Sequence, residues 1–173
     1  MKEKVLHLGL KILSSPEHSV TGEKIAVIPE YEKMIKEKGF AWYNKTKYWG
    51  GSSKLAKKRV DKFKQQFDDG IETKLFLFEN APSERCFEAT ILDYTTEIEN
   101  IDFEAYPDKW ADSEKADYFL KITNIKQVDR MKTLLKLTMY EQPDTSVEEF
   151  IEKFGGGQNP KWLLTEREID LQE

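Results

Sequence analysis

Apolar and polar positions alternate along this chain in separate blocks, and each block predicts an element. Val5, Leu6, Leu8, Leu10, Ile12 and Leu13 form a mixed run closed by Ser14-Ser15-Pro16, a pattern that suits either a strand or a short helix. Ile25 to Ile28 reads as a short strand stopped by Pro29. Glu30 to Lys38 then carries good helix formers, with Gly39 where a carboxyl cap belongs. Phe40 to Tyr43 reads as a strand. Lys54 to Phe67 sets Leu55, Ala56, Val60, Phe63 and Phe67 at helical spacing, with Ser52-Ser53 as the amino cap and Asp68-Asp69-Gly70 as the close.

Thr73 to Glu79 (TKLFLFE) is almost continuously apolar, as a central strand requires. After the turn Asn80-Ala81-Pro82-Ser83, the segment Arg85 to Tyr94 alternates and reads as its hairpin partner. Thr95 to Glu114 is acidic and irregular, a long loop. Asp117 to Lys126 is a further strand and Leu134 to Met139 another, with Asp129-Arg130-Met131 as the turn between them. Val147 to Phe154 predicts a short helix ended by Gly155-Gly156-Gly157, and the chain from Leu164 onward reads as a polar tail or linker. Antiparallel strands with few helices point to an α+β fold, in one domain spanning 1–173.

Composition narrows the setting. Cys86 is the only cysteine, so no intrachain disulfide can form and a reducing compartment is expected. The longest apolar stretches, such as Leu75 to Phe78, fall far short of a membrane span, and Lys2, Glu3, Lys4, His7 and Lys11 interrupt any signal-like core. The expected location is the cytoplasm. The net charge of −5 would repel a polyanion if it were evenly spread. It is not: Lys45, Lys47, Lys54, Lys57, Lys58, Arg59, Lys62 and Lys64 are opposed within their segment only by Asp61.

The chemistry of the residues points to binding and not to catalysis. Neither a P-loop nor G-x-G-x-x-G occurs, and Gly155-Gly156-Gly157 follows a predicted helix instead of opening one. His7 and His18 lack companions for a zinc site, so no metal and no cofactor are expected. Cys86, in an alternating strand, reads as a packing residue. Pairs such as Asp68-Asp69 and Glu148-Glu149 read as solvated surface. What stands out is aromatic: Trp49 on a Gly- and Ser-rich turn and Trp110 in a polar loop, with Trp42, Tyr43, Tyr48 and Tyr106 nearby in sequence. Aromatics on loops can form a cage around a base, at roughly 1–3 kcal/mol per stacked base. A lysine-rich helix beside such a cage would add phosphate attraction.

The order Tyr48-Trp49-Gly50-Gly51-Ser52, basic helix, TKLFLFE, RCFEATILDY, YPDKW and DYFLKITNI resembles the YTH and EVE domains of the PUA-like superfamily, over Phe40 to Gln127. Residues 1–38 have no counterpart there. The resemblance implies a PUA-like open β-barrel of about five to six mostly antiparallel strands flanked by helices. It also implies a reader of a modified, methylated base: YTH domains read N6-methyladenine in RNA, and modules at the front of McrB-type restriction proteins flip modified bases out of DNA. Under it, the cage is Trp49, Trp110, Tyr106 and Tyr48. Ala105 stands where YTH proteins commonly carry a further aromatic, which leaves Tyr106 to close the cage. Gly50, Ser52, Ser53 and Asn44 would contact base edge or backbone, and Lys45, Lys47, Lys54, Lys57, Lys58 and Arg59 would contact phosphates. The implied partner is modified DNA ahead of RNA, in the setting of a larger restriction protein with an NTPase or nuclease, and the isolated domain would be a monomer. Two other readings remain: a YTH-like RNA binder, and a protein-interaction scaffold without nucleic acid, which the net acidity favours.

Overall fold

TKLFLFE lies at the centre of the molecule because both of its faces are covered: Leu75 and Leu77 point into one core, Phe76 and Phe78 into another. The computed structural model describes residues 4–12, 21–24, 26–46, 54–79, 84–107, 116–142, 147 and 161–167. In chain order the elements are β1 (His7–Ile12), α1 (Val27–Lys38), β2 (Ala41–Thr46), α2 (Lys57–Asp68), β3 (Thr73–Glu79), β4 (Cys86–Thr95), 3-10 turns at Ile98–Asn100 and Phe103–Ala105, β5 (Ala116–Val128), α3 (Arg130–Lys136), β6 (Leu137–Met139) and β7 (Lys161–Glu166). Among the described residues seven strands make one open sheet in the order β2-β5-β4-β3-β1-β7-β6. All neighbours pair antiparallel except β1 and β3. The architecture is α+β.

One face of the sheet packs on α1 and α2 through Leu6, Leu8, Leu10, Tyr43, Leu75, Leu77, Ile91, Tyr118 and Leu120, which meet Val27, Ile28, Tyr31 and Phe63 of the helices. The other face carries two smaller clusters. Phe76, Phe78 and Cys86 meet Leu134, Leu137 and Leu164, while Trp42 and Phe119 meet Ile101, Ala105 and Tyr106. Register slips in β4 against β5 between Glu88 and Thr90 and between Ile91 and Asp93, which gives a long central strand pair the local bend that bulges supply. The pairing senses place the start of β1, β3 and β5 and the end of β2, β4 and β7 at one end of the sheet, termed the rim below.

Gly39 caps α1 as the spacing predicts, with φ of 88° and its N–H donating to the Ile35 carbonyl at 2.7 Å. The β3–β4 hairpin is also as predicted. Four expectations are corrected. Val27 and Ile28 begin α1 and are not a strand; Pro29 sits in the first helical turn, where its missing N–H has no intrahelical acceptor to serve. Residues 130–136 form α3, because the Asp129 carboxylate accepts the Lys132 N–H at 2.8 Å and caps it, so only Leu137–Met139 is strand. Leu164 to Glu166 are not a tail: they lie in β7, between β1 and β6. Seven strands replace the five to six expected. The ambiguous first run resolves as strand β1. The predicted turn at Asn80 to Ser83 and all of the helix from Val147 to Phe154 except its first residue lie outside the described residues. No helix among the described residues is long and apolar enough to cross a membrane.

Candidate functional site

Asn44 and Tyr106, 62 positions apart, meet at the rim: the Asn44 side-chain amide donates to the Tyr106 hydroxyl at 2.8 Å. Asn44 lies on β2, which among the described residues pairs only with β5 and stands at the edge of the sheet. Tyr106 follows the Phe103–Ala105 turn, which the Asp102 carboxylate starts by accepting the Glu104 N–H at 2.9 Å. The Tyr106 ring is 5% exposed and meets the edges of Phe103 and Phe119, with centroids 6.1 and 5.9 Å away. The backbone of Asn44 also lies close to the Tyr31 hydroxyl on α1. Burial first, then the neighbouring hydroxyls of Tyr43 and Tyr106, hold Tyr31 well above its ordinary ionisation range.

The described ends of two segments converge here. Thr46 pairs with Ala116, so the point where the chain leaves for 47–53 lies beside the point where it returns from 108–115. Leu55, just after the first segment, is buried in the same core as Tyr94, whose hydroxyl has no hydrogen-bond partner among the described residues. Tyr94 in turn pairs with Leu120. Trp49, Trp110, Tyr48, Gly50, Ser52, Ser53 and Lys47 belong to those two segments and lie outside the described residues.

Buried polar groups cluster beneath this corner. Lys45 pairs with Tyr118 across β2 and β5 and is only 4% exposed. Tyr118 stands 5.1 Å from Tyr94, ring to ring, and its hydroxyl has no hydrogen-bond partner among the described residues. Burial and then the Tyr94 hydroxyl raise its pKa well above the usual phenol value. Asp117 beside it is fully buried.

Helix α2 lies between parts of this frame. Its start is near Tyr94 through Leu55, and Gln66 in its last turn bonds Leu6 and Thr73. Its charge order opposes its macrodipole. Ala56 supplies no side-chain cap, the first turn contains no acid but holds Lys57 and Lys58, and the last turn contains Asp68 and no base. Each reversed end forgoes typically 0.3–1 kcal/mol of the stabilisation that the opposite order gives. Lys54, Lys57 and Lys58 are exposed; Lys57 pairs with Asp61 at 3.0 Å, an exposed contact of little energetic weight. Arg59 is placed differently. Its guanidinium stacks on the Tyr140 ring at 5.0 Å and pairs with Glu141, and the side chain is 15% exposed.

Tyr31, which the sequence reading passed over, belongs to this constellation; only the packing of α1 on the sheet brings it to Asn44. Elsewhere an open cleft of about 390 Å³ is lined by Phe67, Ile71, Glu72, Thr90, Leu92 and Asn124. Cys86 is buried, and burial pushes its thiol up to about 11. His7 is buried too. Its Nδ1 accepts the Lys74 backbone N–H at 2.9 Å, and burial, opposed by the nearby Glu166 carboxylate, lowers its pKa to about 4. His18 lies outside the described residues, among which no metal-ligand cluster occurs. No protein-family model, curated protein or solved structure matches the chain.

Proposed function

We propose that this chain is a PUA-like reader module that captures a modified, flipped-out base of a nucleic acid, with methylated DNA ahead of RNA, as the specificity domain of a larger restriction protein. The observation that carries the reading is the convergence of chain ends at the rim. Thr46 is paired to Ala116 and Asn44 is bonded to Tyr106, so the segments bearing Trp49 and Trp110 start or finish at one corner. Trp49 is three residues beyond Thr46 and Trp110 three beyond Pro107, a reach of at most about 11 Å each. Two indoles tethered in this way can close on one base. The lysine-bearing, acid-free start of α2 favours a phosphate close by.

Binding, not turnover, suits the groups present. A thiol held as its protonated form and an imidazole whose Nδ1 already accepts a backbone N–H are poor nucleophile and base. The test is a fluorescence titration with duplexes that differ only by an N6-methyl group on adenine, repeated in single-stranded RNA. The methylated duplex should bind at least tenfold more tightly, and Trp49→Ala or Trp110→Ala should abolish the difference. Equal affinity for both duplexes, unaltered by either variant, sinks the proposal. The second reading is a protein-interaction scaffold, favoured by the net charge of −5. Binding to a protein partner that ignores salt and survives loss of Lys57 and Lys58 would select it.

A further inference from the structure

We infer that Asn44 and Tyr106 form a brace holding the carboxyl end of β2, so that Tyr106 serves a bound base through Asn44 as a positioning residue and not by stacking; this rests on the reader assignment above. A ring enclosed between Phe103 and Phe119 to 5% exposure has little face left for a base. Its hydroxyl does the contacting instead, accepting the Asn44 amide at 2.8 Å. Asn44 is flanked from a second direction, since its backbone lies close to the Tyr31 hydroxyl. The two tyrosines come from opposite faces of the sheet: Tyr31 from the helix-covered core, Tyr106 from the cluster with Trp42 and Phe119.

The place they pin needs support. An edge strand has a neighbour on one side only, and β2 slips register between Lys45 and Thr46, the step after Asn44. Strand ends of this kind open at low free energy unless something ties them. Geometric tolerance at a base pocket is about 0.5 Å, so a loose strand end would blur discrimination before it abolished attraction. The lysines of α2 are not attached to the brace and continue to attract any strand.

The experiment uses the full chain with Tyr106→Phe, Asn44→Ala, the double variant and Tyr106→Ala. Affinities for methylated and unmethylated duplexes are measured, together with amide hydrogen exchange of Tyr43, Asn44 and Lys45 without nucleic acid. Tyr106→Phe and Asn44→Ala should each weaken methylated binding roughly five- to tenfold, the effect of about 1–1.4 kcal/mol, with no further loss in the double variant. The preference for the methylated over the unmethylated duplex should shrink by the same factor in either single variant, and exchange at Tyr43 to Lys45 should quicken in each. Wild-type binding by Tyr106→Phe with loss in Tyr106→Ala would make the ring a stacking wall and overturn the brace, as would additive losses in the double variant. If the wild-type protein ignores methylation, the reader assignment fails by itself. The brace then depends on exchange alone, and unaltered exchange in Tyr106→Phe overturns it.

Discussion

Gln66 shows how a single side chain can stand in for a strand. It is 1% exposed; its Oε1 accepts the Leu6 N–H at 2.7 Å and its Nε2 donates to the Leu6 carbonyl and the Thr73 hydroxyl, both at 2.9 Å. Leu6 precedes β1, so these bonds satisfy buried backbone groups that no ladder reaches. Gln66→Ala leaves them without partners and should cost about 2–4 kcal/mol, read as a lower urea midpoint with an unchanged slope. His7 gives a pH dependence of known sign. Its folded pKa of about 4 lies below the ordinary 6.5, so the unfolded chain binds the extra proton first. Stability is complete above pH 6.5 and falls as the pH drops toward 4, by about 3 kcal/mol at about 1.4 kcal/mol per pKa unit. The groups around the imidazole are Glu166, Lys74, Lys136 and Glu88. Glu166, bonded to Lys74 and held below the ordinary carboxylate range in spite of its partial burial, adds a loss at still lower pH. A flat stability profile between pH 7 and 4.5 in chemical denaturation would contradict the assignment, and His7→Gln should flatten it.

At the scale of elements, the β3–β4 hairpin carries its own clasp. Arg85 donates two bonds to the Glu79 carboxylate, at 2.8 and 3.0 Å, and the Glu79 side chain is fully buried while Arg85 is about half exposed. Removing the partner of a buried charge is costly, and the exposure of Arg85 lets water screen part of it. Arg85→Ala should therefore lower stability by about 1–3 kcal/mol, and Glu79→Gln in the same chain should restore part of it; calorimetry of the four proteins decides. This hairpin was legible in the sequence because both strands alternate or saturate with apolar residues and a Pro-containing turn separates them. The start of α1 was not, because Val27 and Ile28 are β-branched and Pro29 reads as a stop until the packing shows it in the first turn. Residues 134–139 misled for a related reason. Leu134, Leu135, Leu137 and Met139 look like a strand, while the helix depends on the Asp129 cap and on Leu134 packing with Phe76 and Phe78. Of the candidate site the sequence offered residue types, Trp and Tyr beside Lys, and Trp49, Trp110 and Tyr48 lie outside the described residues. The frame of the site was not legible, because Asn44, Tyr106 and Tyr31 are joined by tertiary contacts that no spacing announces.

The whole molecule depends on pairings between distant parts of the chain. β1 stands between β3 and β7, parallel to one and antiparallel to the other, and β7 carries β6. Ending the chain at Pro160 would strip β7 from β1, expose Leu8 and Leu164's other neighbours, and leave β6 without a partner. Such a protein should lose the cooperative unfolding that the full chain shows in a thermal melt. The run from Lys161 to Glu166 was too short to announce a strand, and the pairings with β1, some 150 positions earlier, and with β6 are tertiary contacts. The pairing senses carry one more implication. Because β1 begins and β7 ends on the side of the sheet where β2 ends, a dye on Lys4 would sit about four strand spacings, roughly 19 Å, from that corner, and one on Arg167 about five, roughly 24 Å. Under the proposed reading, energy transfer from either position to an acceptor on an added oligonucleotide would report docking with every tryptophan left in place, and an acceptor that stays dark at saturation would move the docking surface to the far side of the sheet.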